Sequence, residues 1–357
     1  MLNNKVIKSK DGEIEVQYDE VTHVCICVVI YALLQYLLLE DDNVVKHNTV
    51  YFCYDKGISE DVRNRLPSIS FTNPKGGRLK RVFFKLLKKW EYGLRYPFIK
   101  RAKIYAQDHM PLTAILIGRN KYSLLSDGPN CFTVNYLPNS VFFQARQSKK
   151  RSLTAVFEKI ILGDLCVNNM GGNPQCEMIF LTEPNKSPLL DNRHVDTKSL
   201  SELWNDASVE KKQFILDVFG LHDEDIALLN SKSICFLSQP FVDDSVLSVD
   251  EYKDLLEQIF QKYDNSQIVI KTHPRDTFDY KKYFPQIALF DKPIGTQLLA
   301  ILGGVNMKKV VTVSSSAIDA FPHFVEAEVY GTRIHPKILA ALGETYTFSR
   351  SFIKVSL

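Results

Sequence analysis

The strongest constraint on the fold is an alternation of short apolar runs with helical segments in the last third of the chain. Ser233–Ser238, Gln267–Lys271 and Val310–Val313 have the length and apolar, β-branched character of strands. Val249–Lys262 and Pro293–Leu302 lie between them and have the length and periodicity of helices. Strand–helix alternation of this kind is typical of a parallel sheet with helices on both faces. The sequence therefore predicts an α/β fold.

The N-terminal half repeats this alternation. The predicted strands are Val24–Val29, Thr49–Tyr54, Lys103–Gln107 and Tyr122–Leu125, the predicted helices lie near 30–40 and 78–92, and residues 198–219 are predicted to be helical. Because a single core stops growing at roughly 250–300 residues, a chain of 357 residues is expected to form two lobes. The polar stretch 222–232 is the predicted connector. We therefore expect an N-terminal lobe over 1–225, a C-terminal lobe over 226–335 and a helical tail over 336–357.

Composition and the missing motifs exclude several classes. With 45% hydrophobic and 24% charged residues, the chain is neither disordered nor a coiled coil. Seven scattered cysteines without a Cys-x-x-Cys pair favour a reducing cytoplasm over a disulfide framework or a zinc site. The first twenty residues lack the pattern of a secretory signal. The apolar run Val24–Leu39 is interrupted by Gln35 and is interpreted as a buried strand and helix, not as a membrane span.

Gly-x-Gly-x-x-Gly, Walker and His-Glu-x-x-His motifs are absent. The single Asp-x-Asp, Asp223–Asp225, falls in the predicted connector, so a metal-bound nucleotide sugar is not expected.

The net charge of +3 hides an uneven distribution. Residues 75–103, called the basic segment below, hold eleven basic residues and one acid, whereas the rest of the chain holds 33 basic and 40 acidic residues. Within the segment, apolar residues recur at helical spacing: Leu79, Val82, Phe83, Leu86, Leu87 and Trp90. Either this stripe packs on the core, or the helix binds an anionic membrane surface through it. The basic residues expected to face the membrane are Lys80, Arg81, Lys85, Lys88 and Lys89. No fold signature of nucleic-acid binding accompanies the charge.

Polar residues follow three of the predicted C-terminal strands, where α/β sheets bind ligands, namely after Ile234–Leu237, Ile268–Lys271 and Val310–Val313. His273 could donate a proton or bind phosphate, with Lys271, Pro274 and Arg275 beside it, or it could simply end a strand. The serines at 314, 315 and 316 could bind phosphate through hydroxyls and backbone amides at the start of a helix, and they could also cap that helix.

Carboxylates follow two strands. Asp127, before Gly128, could act as a general base, although Asp-Gly is also a common turn signal. Asp243 and Asp244 are reserve candidates, and Asp244 or Ser248 could instead cap the next helix.

In this order, Asp127-Gly128, His273-Pro274 and Ser314-Ser315-Ser316 resemble the three short motifs of bacterial sialyltransferases, and most closely those of glycosyltransferase family 52, the lipooligosaccharide sialyltransferase family. The segments around Val24–Leu39, Phe236–Phe241 and Ile270–Asp276 through Tyr280 also resemble that family. One position departs from the family pattern, which has two acidic residues before the glycine. In this chain the first of these two positions is Ser126.

The resemblance implies a GT-B architecture, two Rossmann-like lobes with a cleft between them, and CMP-sialic acid as donor without a metal or another cofactor. It makes Asp127 the general base, His273 the group that stabilises or protonates the departing CMP phosphate, and the three serines the phosphate ligands. The expected reaction is inverting transfer to a terminal sugar, galactose, of a lipooligosaccharide, O-antigen or capsule. The expected location is cytoplasmic, peripheral to the inner membrane.

Two alternatives remain open at this point. One is a hexosyltransferase of the same family, and the other is a noncatalytic, membrane-associated glycan-assembly protein. A homodimer is also kept open, and nucleic acid is not an expected partner.

Overall fold

The computed structural model describes residues 5–72, 78–128, 160, 171–184, 190, 192–273, 275–292, 294–303, 306–344 and 351–356, and the side chains of 78–82 and 303 are outside this description. The chain divides into two compact units, Met1–Phe219 and Gly220–Leu357. The predicted phosphate-site residue Pro274 lies outside the described residues, as do Cys131 and Cys166.

Within its described residues, the first unit contains a parallel sheet of seven strands. Their order is β5-β4-β3-β6-β7-β8-β9, so the direction of winding reverses between β3 and β6. The strands are β3 (His23–Cys27), β4 (Thr49–Tyr54), β5 (Ser68–Phe71), β6 (Lys103–Ala106), β7 (Tyr122–Leu125), β8 (Cys176–Leu181) and β9 (Val195–Thr197), and an antiparallel pair, β1 (Val6–Lys8) and β2 (Glu15–Gln17), precedes them.

The central strands form because their sequences are apolar almost throughout. In β3 and β4, nearly every side chain is buried, as expected for parallel strands covered on both faces. The predicted strand and helix in Val24–Leu39 are therefore confirmed as β3 and as α1, Ile30–Leu39. Strands β5, β8 and β9 were not predicted. β5 and β9 have only four and three residues, and β8, six residues long, carries the exposed Glu177 within its apolar run.

The helices of the first unit begin where the sequence supplies caps or helix formers. The region predicted to be helical over 198–219 consists of two helices, because Ser199 and Ser208 each cap the start of one. The helices are α1, α2 (Glu60–Asn64), α3 (Arg78–Arg95), α4 (Pro111–Ile117), α5 (Leu200–Asp206) and α6 (Val209–Val218), with single turns of other helix types at Val44–Asn48 and Pro97–Lys100.

The second unit contains a parallel sheet of six strands in the order β12-β11-β10-β13-β14-β15. Winding reverses between β10 and β13, the strand order of a Rossmann fold. The strands are β10 (Ile234–Leu237), β11 (Ile268–Lys271), β12 (Ala288–Phe290), β13 (Lys309–Thr312), β14 (Glu326–Val329) and β15 (Ile353–Lys354), and the helices are α7 (Asp223–Asn230), α8 (Val249–Phe260), α9 (Tyr280–Tyr283), α10 (Thr296–Gly303) and α11 (Pro336–Leu342).

Four expectations for this unit are refined. The predicted connector 222–232 is largely helix α7. Asp225 in the first turn of this helix accepts a hydrogen bond from the His222 amide at 3.0 Å. The boundary between the two compact units falls between residues 219 and 220, whereas the sequence predicted it between 225 and 226. The tail contains more than helix, because β15 pairs with β14 and extends the sheet. Of the two proposed caps for α8, the structure shows Ser248.

None of the described helices combines the length and hydropathy needed to cross a membrane.

Candidate functional site

The candidate residues lie at the carboxyl ends of parallel strands, close to the point in each sheet where the winding reverses. In the first unit this point lies between β3 and β6, and in the second unit it lies between β10 and β13. At such a point the loops from two neighbouring strands leave in opposite directions, which opens space for a ligand.

In the first unit, Gln107 bridges three strand ends. It follows β6 and is completely buried. Its Oε1 accepts hydrogen bonds from the Val28 amide at 2.6 Å and the Val29 amide at 3.0 Å, at the end of β3. These two bonds fix the orientation of the amide, so that its Nε2 donates to Oδ1 of Asp127 at the end of β7. The backbone of one strand thereby orients the carboxylate that follows another.

Asp127 has the environment of a proton acceptor. Burial raises the pKa of its carboxyl, and the neighbouring Asp108 acts in the same direction, whereas His109 and the hydrogen bond from Gln107 oppose the rise. His109 Nδ1 lies 3.4 Å from Asp127 Oδ2, and about a quarter of the Asp127 side chain remains exposed. A carboxylate with a raised pKa that solvent can still reach is suited to general-base chemistry.

Two members of this group, Gln107 and His109, were not predicted. Both follow directly after β6, so the rule that selected the other strand ends would also have selected them.

Ser126, the departure from the family pattern, lies in a buried hydrogen-bonded position. Its amide and its Oγ both donate to Oε1 of Gln35, at 3.0 and 3.2 Å. Gln35 Nε2 donates to the Phe180 carbonyl at 3.2 Å, which turns its Oε1 toward Ser126. A carboxylate at position 126 would face this acceptor oxygen while buried, and that is unfavourable. The serine is therefore matched to Gln35 on α1.

In the second unit, the turns after β10, β11 and β13 meet. Ser238 Oγ accepts the His273 amide at 2.9 Å and donates to Asp276. Gln239 Oε1 accepts the Ser314 amide at 2.8 Å, and Gln239 Nε2 donates to Ser314 Oγ at 2.9 Å. Ser238 thus holds the turn at His273, called the histidine turn below, and Gln239 holds the turn at Ser314, called the serine turn below.

The arrangement favours neutral His273 with its proton on Nε2. Burial lowers the pKa of the imidazole, and the charges of Arg275 and Lys271 lower it further, against an opposing effect of Asp276. Its Nδ1 accepts the Arg275 amide at 3.1 Å. In neutral imidazole one nitrogen accepts and the other carries hydrogen, so Nε2–H is the donor for a ligand.

A buried hydroxyl network supports the histidine turn from below. Asp276 Oδ2 accepts from Tyr280 at 2.7 Å, and the Tyr280 hydroxyl lies 2.9 Å from that of Tyr252 on α8. The sequence assigned no role to Asp276 or Ser238, because the contacts between them join segments 38 residues apart.

The basic residues near His273 lie in contrasting environments. Lys271 is 4% exposed, burial lowers its pKa to about 8, and its ammonium donates to the Thr272 carbonyl at 2.7 Å. Arg275 is exposed and forms a bidentate ion pair with Asp244, at 2.7 and 3.3 Å. Lys271 therefore contributes charge from beneath the turn, while Arg275 is held at the surface.

The reserve carboxylates bind the same turn. Asp244 pairs with Arg275, and Asp243 accepts the amide and hydroxyl of Thr277 at 2.9 and 2.6 Å. Those bonds from Thr277 lower the pKa of Asp243, the opposite of the shift at Asp127. Asp127 is therefore the better placed base.

The serine turn differs from expectation in the helix that follows it. This helix, Ser316–Ala320, is a single 3₁₀ segment of five residues, so it offers a weaker dipole than the helix that was predicted. Ser314 is half-buried and oriented by Gln239, Ser315 Oγ accepts the Ala317 amide at 3.3 Å, and Ser316 is exposed.

The basic segment is only partly at the surface. Lys89 is exposed, Lys88 is half-buried and Lys85 is 6% exposed, so the assignment of Lys85 to a membrane-facing surface is wrong. Lys80 and Arg81 lie in α3, but their side chains fall outside the description.

Within the described residues, no group of three or more His, Cys, Asp or Glu side chains is arranged to hold a metal ion.

Several known proteins are similar to this chain. An uncharacterized protein of Haemophilus influenzae is 29% identical over 292 residues, which cover 80% of this chain and 88% of that protein. The GT-B domain of a sialyltransferase from Photobacterium damselae superposes with a TM-score of 0.53 at 12% identity, covering 90% of this chain and 97% of that one. A UDP-GlcNAc 2-epimerase from Methanocaldococcus jannaschii gives a TM-score of 0.43 at 11% identity, with 94% and 89% covered.

The family profile described as glycosyltransferase family 52 matches residues 56–338, which include every strand end of the candidate site except that of β3. Because this match spans most of the chain, the protein belongs to glycosyltransferase family 52 and is a glycosyltransferase with the GT-B fold.

Proposed function

We propose that this glycosyltransferase is an inverting sialyltransferase, which moves sialic acid from CMP-sialic acid to a terminal galactose of a bacterial surface glycan without a metal. The observation that carries the proposal is that Ser238 and Gln239, which follow β10, hold neutral His273 on one side and the oriented Ser314 on the other. Such a turn matches a leaving group with a single phosphate, since a few neutral donors can offset its charge.

The leaving group would be stabilised in the second unit. In this proposal, the Nε2–H of His273 donates to a phosphate oxygen of CMP, and the hydroxyls at 314–316 donate to others. Buried Lys271 adds positive potential beneath the turn. As the bond between the anomeric carbon and the phosphate oxygen breaks, charge grows on that oxygen, and donors already in place lower the barrier.

The acceptor would be activated in the first unit. Asp127 takes the proton of the acceptor hydroxyl while the acceptor oxygen forms its bond to the anomeric carbon on the face opposite the phosphate. Gln107 holds the carboxylate through Oδ1, so Oδ2, on the side of His109, is the oxygen that receives the proton. Attack from the opposite face inverts the anomeric configuration. We further propose that the acceptor is part of a lipooligosaccharide, an O-antigen or a capsule. The enzyme would act in the cytoplasm, at the inner membrane.

A donor screen by thermal unfolding tests the choice of nucleotide. CMP and CMP-sialic acid should raise the Tm of the full chain, since a ligand that binds only the folded state stabilises it by about 2.7 kcal/mol at a hundredfold excess over Kd. UDP and UDP-hexoses should leave the Tm unchanged.

Ser314→Ala is the matched variant for this screen. It should reduce the rise given by CMP and keep the Tm of the free protein within a few degrees, because the Gln239 bond to the Ser314 amide remains. Stabilisation by UDP-hexoses but not by CMP would replace the sialyl donor with a hexosyl donor.

Asp243→Asn tests the reserve base. Because Asp243 holds Thr277 and its pKa is lowered, we expect transfer to fall by less than about tenfold, whereas loss of a general base costs about 10²–10⁴-fold. The check is kcat/KM for transfer from CMP-sialic acid to a galactoside. A loss as large as that of an Asp127 variant would move the base to Asp243.

A further inference from the structure

Helix α3 presents an apolar stripe to solvent. Five of its large apolar side chains are exposed, in the order Phe83 63%, Leu86 42%, Leu87 53%, Trp90 76% and Leu94 72%. Their spacing of three and four residues places them along one face of the helix. Soluble monomers rarely expose so many contiguous apolar groups, and such a surface usually marks an interaction site.

The opposite face fixes this orientation. Tyr92 and Tyr96, 6% and 5% exposed, belong to the core of the first unit, and Phe84 packs against that core. Lys88 lies over the rings of Phe84 and Tyr92, at 5.6 and 5.5 Å, and pairs with Glu91 at 2.7 Å. Turning the apolar stripe inward would expose both tyrosines. Of the two interpretations left open by the sequence, the described side chains therefore exclude packing of this stripe on the core.

The helix as a whole is strongly basic. From Arg78 to Arg95 the helix carries seven Lys or Arg residues and one acid, Glu91. A helix that is rich in basic residues and exposes aromatic and leucine side chains, with Lys89 exposed among them, has the composition of helices that lie in the interface of anionic bilayers.

We infer that α3 docks this protein on an anionic lipid surface, with Phe83, Leu87, Trp90 and Leu94 inserted among the lipid headgroups. A second copy of the chain is a poorer occupant, because a two-fold contact through α3 would bring two equally basic helices together. Docking is independent of the sugar transferred, since it requires neither donor nor acceptor.

Trp90 itself reports the insertion. The chain has two tryptophans, so Trp204→Phe leaves Trp90 as the only one. Emission of this full-length variant should shift to the blue with vesicles that contain phosphatidylglycerol in addition to phosphatidylcholine. It should stay unchanged with phosphatidylcholine alone, and added salt should weaken the response.

A pair of phenylalanines supplies the matched control. Phe83 is 63% exposed on α3, and Phe324 is 73% exposed in the second unit. Phe83→Ser should reduce partitioning onto the phosphatidylglycerol vesicles by about tenfold or more, and Phe324→Ser should leave it unchanged. Both positions are exposed, so both variants should keep the parent Tm.

Three results would overturn the inference: equal losses for the two variants, equal binding to both kinds of vesicle, or a blue shift that grows with protein concentration in the absence of lipid. The last would identify α3 as a contact between two copies. None of these results depends on turnover, so failure of docking and failure of the proposed reaction are distinguishable.

Discussion

Replacing Asp127 by asparagine should lower kcat for sialyl transfer by about 10²–10⁴-fold, the usual contribution of a general base. Asparagine keeps the oxygen that accepts from Gln107 Nε2 and removes the ability to take a proton. The acceptor KM should change little, because the amide has the same shape. The measurement is steady-state transfer from CMP-sialic acid to a galactoside, with Asp243→Asn as the matched carboxylate control.

The pH dependence of the parent enzyme follows from the direction of the shift at Asp127. The base must be ionised to act, and burial raises its pKa, so activity should fall on the acid side at a higher pH than for an ordinary aspartate. Asp127→Asn should lose that acid limb. A variant that keeps both the rate and the acid limb would exclude Asp127 as the base.

The same shift predicts the effect of Asp127→Asn on stability. A carboxyl whose pKa is higher in the folded state than in the unfolded state contributes stability at low pH, and that contribution is lost as the pH rises through the folded-state value. At neutral pH the ionised carboxylate thus opposes folding. The asparagine variant should therefore unfold at the same or a higher temperature at neutral pH, so a loss of activity cannot be attributed to unfolding.

Replacing His273 by alanine should reduce kcat by at least about 10²-fold, the usual cost of removing one donor to a developing negative charge. The variant loses the Nε2–H that we propose donates to the donor phosphate, while Ser238 can still accept the amide of residue 273. Hydrolysis of CMP-sialic acid without an acceptor should fall together with transfer, because both break the same bond. The two rates are measured by release of CMP.

The chain contains a matched control for this variant. His335 also precedes a proline, and its Nδ1 also accepts the amide two residues later, at 3.2 Å from Lys337 compared with 3.1 Å from Arg275 at His273. It caps α11. His335→Ala should keep the turnover and lose about 1 kcal/mol of stability, the usual value of a helix cap. Equal losses of activity in the two variants would mean that His273 acts only as a turn residue.

Much of the architecture could be predicted because its strands are locally encoded. The runs that became β3, β4, β10, β11 and β13 are apolar almost throughout, and strands buried on both faces need that composition wherever they lie. Of the strands that were missed, β12 has only three residues and β14 carries two glutamates among its four, and both form through pairing with a neighbour. Their local sequence therefore carries a weak signal.

The positions of the candidate residues could be predicted from the sequence, but their pKa values and hydrogen-bond partners could not. That polar groups after β7, β11 and β13 lie at the ligand-binding edge of a parallel sheet follows from chain direction alone. That Asp127 has a raised pKa while Asp243 has a lowered one depends on burial and on partners, Gln107 and Thr277, contributed by other segments. Two carboxylates of the same type thus acquire opposite properties.

By itself, the sequence determined the alternation of central strands with helices, the parallel sheets and the concentration of positive charge in the basic segment, because these depend on composition and local periodicity. Only the tertiary structure decided which face of α3 is buried. The helix has apolar side chains on more than one side, and the choice of Tyr92 over Trp90 for the core depends on surfaces far away in the chain. The same reason applies to Gln107 and Gln239, whose buried amides hold the ends of strands that only folding brings together.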